Sequence, residues 1–285
     1  MARAKSVVIT GVSTGIGWGA VKVLVGKGFH VFGSVRKQAD ADRLKAEFGD
    51  AFTPLIFDVT DAPAVAAAAK QVEAALSGAT LAGLVNNAGI AVAGPLLYLP
   101  LDEWKTQLDV NLTGVVIATQ AFAPLLGAGG PRVPNPGRIV NISSVGGRNA
   151  NPFMGPYCTT KFGLEGLSES LRRELLPFGV DVVVVAPGAV ATPIWDKADE
   201  TDTARYANTA YAPALERLRQ YMLSVGKSGL PPERIGEAIA TALTAPKPKT
   251  RYVVSPSPLQ VLMTEVLPKR NLDRVIGKRL GLLPE

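Results

Sequence analysis

Residues Thr10-Gly11-Val12-Ser13-Thr14-Gly15-Ile16-Gly17 decide the reading of this chain. They follow a short apolar run, Ser6–Thr10, and open a helical pattern over Gly15–Lys27. Glycine permits positive φ and lets a bulky group approach the backbone. A helix starting there offers free N–H groups to a pyrophosphate. The spacing is GxxxGxG rather than the GxGxxG of the common dinucleotide fingerprint. A tight strand-to-helix turn without a ligand gives the same pattern, and Ser13 and Thr14 could either bond phosphate or cap the helix.

Outward from that turn, β-branched runs recur at His30–Val35, Thr53–Val59, Leu81–Asn86, Arg138–Ile142, Asp181–Ala186 and Arg251–Val254. Several are continuously apolar, as in Val182-Val183-Val184-Val185, which fits strands buried on both faces. Helical patterns lie between them at Ala41–Phe48, Ala62–Leu76, Leu101–Leu126, Tyr157–Leu176 and Pro232–Leu243. This alternation predicts an α/β fold, a doubly wound parallel sheet of about seven strands with helices on both faces. The boundaries expected are one domain over residues 1–255, with a helical lid at about 193–230, and a C-terminal helical extension over 256–285.

The second strand ends in Ser34-Val35-Arg36-Lys37, with no carboxylate before Asp40. An acidic residue there would hold the adenosine ribose, whereas an arginine accommodates a 2′-phosphate. Arg36 offers a planar fork suited to phosphate, and it is equally readable as a solvated side chain at a loop start. The leaning is to NADP, with NAD as the alternative. Asp58, beside Val59 at the end of the third strand, could accept from an adenine amino group or tie a turn together. Asn86-Asn87-Ala88-Gly89 places small residues at the carboxyl edge of the sheet, either as an Asx turn or as room for a ligand.

Tyr157 and Lys161 stand four apart and share a helix face. A free tyrosine is a poor base at neutral pH, and a neighbouring ammonium favours its phenolate. Such a pair by itself is a common spacing. Ser143-Ser144 at the end of the fifth strand could polarise a carbonyl or hold an oxyanion. Asn111, inside a helical pattern, needs partners for its amide, as a structural bonder or as the holder of a relay water.

Taken together, the TGxxxGIG turn, Asp58, NNAG, Asn111, the Ser-Tyr-Lys set and Pro187-Gly188 stand in the order and spacing of a known family. Over Lys5–Val254 the chain resembles the short-chain dehydrogenase/reductases, with a similarity to the hydroxysteroid and retinol dehydrogenase branch. The resemblance implies an NAD(P)-binding Rossmann fold with catalytic Asn111, Ser144, Tyr157 and Lys161. Ser144 is chosen over Ser143 because the family's serine commonly lies thirteen positions before its tyrosine. The implied cofactor residues are Gly11, Ser13, Thr14, Gly15, Ile16, Gly17, Arg36, Asp58, Val59, Asn87, Ala88, Gly89, Tyr157, Lys161, Pro187, Gly188, Val190 and Thr192. The expected partner is a small, lipophilic carbonyl or alcohol. A homodimer or homotetramer through the Leu101–Leu126 and Tyr157–Leu176 helices is also implied. The alternative is a dinucleotide-binding sensor or scaffold of the same fold.

Bulk properties narrow the field. The 285 residues are 47% hydrophobic and only 19% charged, against roughly 25% in typical soluble domains, so much of the chain is expected to be buried. The net charge of +6 is dispersed, which speaks against a nucleic-acid patch. A single cysteine, Cys158, and a single histidine, His30, exclude an internal disulfide, a CxxC zinc site and a His-based triad. The expectation is a cytoplasmic protein with no metal, no signal peptide and no stretch of about 20 apolar residues to span a membrane. Residues from about Pro193 to Gly229 read as a helical lid carrying Ile194, Trp195, Tyr206, Tyr211, Leu215, Leu218, Tyr221, Met222 and Leu223. The tail beyond Val254 alternates apolar and basic residues and reads as a further amphipathic helix.

Overall fold

The structure, a computed structural model, describes residues 5–192 and 203–283. In chain order its elements are β1 (Ser6–Ile9), α1 (Gly15–Gly26), β2 (His30–Val35), α2 (Gln38–Phe48), β3 (Phe52–Ile56), α3 (Ala62–Leu76) and β4 (Gly83–Asn86). They continue with α4 (Leu101–Leu108), α5 (Gly114–Phe122), β5 (Arg138–Ile142), α6 (Gly155–Glu174) and β6 (Asp181–Pro187). The last are α7 (Ala212–Lys227), α8 (Pro232–Thr244), β7 (Arg251–Val254), α9 (Pro258–Val266) and α10 (Lys269–Leu280).

The seven strands form one parallel sheet in the order β3-β2-β1-β4-β5-β6-β7. The chain direction across the sheet reverses between β1 and β4, and ligands of such sheets bind in the crevice at that switch point. Strand periodicity of two divides the core between the faces. Val7, Ile9 and Val31 point to α1, α2 and α8, where Leu24, Leu44 and Ile239 meet them. Val8, Phe32 and Leu84 point to the other face, against Val65, Ala118 and Leu175. A third cluster joins Phe153, Leu215 and Leu218 to Leu280, and so fastens α7 to the end of α10.

Three local readings change. The Leu101–Leu126 pattern is not one α-helix: α4 passes through a π turn at Asp109–Thr113 into α5, and Ala123–Leu126 is 3-10. By length and composition this 26-residue stretch is apolar enough to cross a membrane, contrary to the expectation above. Its Val115, Ala118, Phe122 and Leu126 are buried in the protein. The tail forms two helices rather than one, because Pro268 stands between them without an N–H to continue α9. Of the expected lid, α7 lies within the described residues, whereas Ile194 and Trp195 lie outside them.

Candidate active site

The glycine turn is tied to two neighbouring strand ends. Thr10 Oγ1 accepts from the backbone N–H groups of Asn87 and Ala88, both at 3.0 Å. Asn87 Nδ2 donates to the carbonyls of Thr10 and Gly11 at 2.9 and 2.8 Å. The Gly11 N–H donates to Ser34 Oγ at 2.9 Å. Gly11 and Gly15 have φ of +70° and +60°, and a Cβ on Gly17 would stand 2.2 Å from the Gly11 carbonyl oxygen. No other residue fits this turn without strain. Thr14 is the N-cap of α1 but makes no side-chain cap bond, and the first turn holds no acidic residue. The helix therefore presents its first N–H groups to the crevice, a ready site for an anionic ligand.

At the far side of the turn, Arg36 is 69% exposed, with Nη1 3.8 Å from Asp58 Oδ2. Asp58 Oδ1 accepts from the Thr60 N–H and hydroxyl at 3.0 and 2.8 Å, so one carboxylate oxygen is spent on the turn. Burial pushes the Asp58 pKa up, but the Thr60 donors and the Arg36 charge outweigh it and hold the carboxyl below its usual range. Arg43, from α2, donates to the Ser13 carbonyl at 2.5 Å. Val59 is buried with its side chain against Gly114 and leaves only backbone to the crevice.

A cavity of about 610 Å³ opens beyond the turn. Ile16, Asn87, Gly89, Ser144, Tyr157, Lys161, Pro187, Gly188, Val190 and Thr192 all line it. Arg36, Asp58, Asn111 and the rest of the glycine turn do not. The third methyl-bearing side chain of this group, Thr192, approaches Gly15, where an added Cβ would stand 3.3 Å from it.

Tyr157 and Lys161 lie on the first turns of α6, and Lys161 Nζ is 5.6 Å from the Tyr157 ring centroid. Lys161 is buried and donates to the Ile142 carbonyl at 2.8 Å. Burial lowers its pKa to about 8. Burial also raises the Tyr157 pKa, against a hydrogen bond with Ser144 that lowers it. The neighbouring ammonium thus does not bring the phenol towards neutrality here, because loss of hydration is the larger effect. Ser144 Oγ accepts from the Gly146 N–H at 3.0 Å. Ser143 Oγ is buried beside Gly147 with no hydrogen-bond partner among the described residues.

Asn111 sits behind the cavity wall in the π turn. Its Oδ1 accepts from the Ile90 N–H at 2.9 Å, and Nδ2 donates to the Ile90 carbonyl at 3.0 Å and to Thr160 Oγ1 at 3.2 Å. Both amide hydrogens are spent on protein. Gln107, which sequence reading missed, grips the same loop. Its Oε1 accepts from the Val92 N–H at 2.7 Å, and Nε2 donates to the Ile90 carbonyl at 3.1 Å. The signal was available, since Gln107 precedes Asn111 by four residues on one helix face. The sequence left the tail free to close the pocket, to meet a neighbouring subunit or to touch a membrane surface; in the structure Val261, Thr264, Leu272, Val275, Ile276 and Arg279 of α9 and α10 form a wall of the cavity.

Comparison with known proteins agrees with this fold. The family profile described as short chain dehydrogenase matches residues 5–203. The chain is 38% identical to the NADPH-dependent 3-dehydrocapnine reductase of Ornithobacterium rhinotracheale, over 98% of each chain. It is 34% identical to Retinol dehydrogenase 5 of Homo sapiens, over 86% of this chain and 79% of that one. Among solved structures, a short-chain dehydrogenase from Streptomyces avermitilis superposes with a TM-score of 0.76 at 27% identity, over 98% of this chain and 95% of that one.

Proposed function

The chain belongs to the short chain dehydrogenase family and is an NAD(P)-dependent oxidoreductase, and from that premise we propose that it interconverts a lipophilic ketone and its secondary alcohol using NADP(H), with Tyr157 as the proton-transfer group. The observation that carries the reading is the convergence of Ser144, Tyr157 and Lys161 on the cavity into which Ile16 of the glycine turn also projects. The dinucleotide, when bound, would supply or accept the hydride.

The turn fits such a group. Two positive-φ glycines, an uncapped helix N-terminus and no acidic residue in its first turn make room for a pyrophosphate at Gly11, Ser13, Thr14, Gly15, Ile16 and Gly17. Arg36 would take the 2′-phosphate, with Asp58 and Val59 on the adenine side. Asn87, Ala88, Gly89, Pro187, Gly188, Val190 and Thr192 would hold the ribose and nicotinamide end with Tyr157 and Lys161. The preference for NADP rests on the exposed Arg36 fork and on the likeness to an NADPH-dependent reductase.

In the reducing direction Tyr157 gives its proton to the carbonyl oxygen as that oxygen gains charge. Ser144 steadies the same oxygen by a hydrogen bond. Burial keeps the phenol protonated and ready to donate. Lys161 fixes the Tyr157 side of α6 by its bond to Ile142 and adds positive charge beside the phenol when protonated. Asn111 is a positioning residue, acting through Ile90 and Thr160. The apolar lid and tail residues around the cavity support a lipophilic substrate. Self-association through α4–α5 and α6 belongs to the same proposal, supported by the exposed Leu101 and Phe162 on those helices. Light scattering tests it.

Tyr157→Phe tests the central assignment. The variant is expected to bind NADPH as tightly as wild type in a fluorescence titration and to lose at least about a hundredfold in kcat for ketone reduction. Near-normal turnover would overturn the role.

A further inference from the structure

The formally charged side chains that line the cavity are of one sign. They are Lys161 at the α6 wall and Arg279 on the last turn of α10, and no aspartate or glutamate among the described residues lines the cavity. Arg279 also has no acidic partner within salt-bridge distance among the described residues. The carboxylates of the neighbouring helices are engaged elsewhere. Glu265 of α9 faces Arg251 and Arg148 at 3.7 and 3.9 Å, and Glu216 of α7 bonds Arg219 and Gln220.

The guanidinium of Arg279 is held in place all the same. Its Cζ lies 4.1 Å from the centroid of the Tyr221 ring, a cation–π contact. A guanidinium carries five N–H donors in a planar fork, the arrangement that a planar oxyanion recognises. The helix beneath is fixed too: Arg217 of α7 donates to the Leu280 carbonyl at 2.8 Å, and Leu280 packs into the cluster with Leu215 and Leu218. A basic residue in the last turn of a helix is favoured by the helix dipole. Lys278 meets that preference equally well, and both side chains are solvent-exposed, but only Arg279 lines the cavity. Around it the wall is apolar, formed by Leu218, Met222, Val261, Val275, Ile276 and Leu280.

We infer that Arg279 is the docking point for an oxyanion on the substrate, so that the ligand is an amphiphile whose acidic group lies against Arg279 and whose chain lies along α7, α9 and α10. This deepens the function proposed above and rests on it only for the position of the reacting carbon. Arg279 is thus a specificity residue contributed by the C-terminal helices.

The test reads binding first. Octanoate and octan-1-ol are titrated calorimetrically into wild-type protein saturated with NADP⁺, then into Arg279→Gln and Arg279→Lys. Wild type is expected to prefer octanoate by about tenfold or more, Arg279→Gln to lose that preference with octanol unchanged, and Arg279→Lys to keep part of it. NADPH affinity, followed by its fluorescence, is expected to be equal in all three. No octanoate preference in wild type, an equal loss for both probes in Arg279→Gln, or weakened NADPH binding would each overturn the inference. A second arm assays medium-chain keto acids against their methyl esters, where Arg279→Gln should raise KM for the acids alone. If the octanoate preference holds while no ketone in the panel turns over, the ketone–alcohol reading has failed and the anion site stands.

Discussion

Lys161 Nζ donates a 2.8 Å hydrogen bond to the carbonyl of Ile142, which ties the helix bearing Tyr157 to the end of the strand that precedes Ser144. One buried cation therefore sets the spacing of the three groups around the reacting oxygen. The bond compensates only part of the hydration that Lys161 gives up, and its pKa falls to about 8.

That depression has a sign in the stability of the protein. An unfolded lysine titrates near 10.5, so between about pH 8 and 10.5 the unfolded chain binds more protons than the folded one, and stability rises with pH. The full cost of burying the charge is felt below pH 8. Between pH 7.5 and 9.5 wild type is expected to gain on the order of 2 kcal/mol relative to Lys161→Met. Urea denaturation of both proteins at the two pH values checks this. Parallel pH profiles would show that Lys161 titrates as a free lysine.

Arg36 governs the choice of dinucleotide. Arg36→Asp should lower kcat/KM for NADPH by roughly tenfold to a hundredfold, through loss of a charge-assisted contact, and change that for NADH far less. Two steady-state series, one per cofactor, decide it. A wild-type preference for NADH would remove Arg36 from the cofactor site.

Asn111 and Gln107 together hold the loop after β4. Asn111→Leu leaves the Ile90 N–H without its side-chain acceptor and is expected to cost about 1–3 kcal/mol in thermal or urea denaturation. A positioning role adds a second signature: kcat falls while the NADPH dissociation constant stays close to wild type. A variant that loses stability and keeps its kcat would make Asn111 structural only.

The fold was legible wherever a local signal and a long-range demand coincide. The run Val182–Val185 must be buried on both sides, and the glycine turn must be strained for anything but glycine, so the sheet and its crevice follow from the sequence. Tyr157 and Lys161 share a helix face by spacing alone. The π turn carries no such signal, because it is imposed by what Gln107 and Asn111 reach on another segment. Arg279 was equally hidden. An amphipathic tail announces a buried face but not what it is buried against, and the docking depends on Arg217, Leu215 and the Glu265 pairing with Arg251. The Tyr157 pKa was misjudged for a related reason: proximity to a cation is visible in sequence, and the depth of burial is not.

The π turn at Asp109–Thr113 sets backbone and core in opposition over chain length. A π turn accommodates one residue more than an α turn in the same rise, at some cost in helix geometry. Deleting one residue between Leu108 and Gly114 would let the helix run on as regular α. Gln107 and Phe122 would keep their faces, because the extra residue is absorbed within that one turn, but the widened turn that carries Asn111 to Ile90 and Thr160 would be gone. The locally better helix would belong to the worse protein, so this segment tolerates exchange of residues far more readily than loss of one.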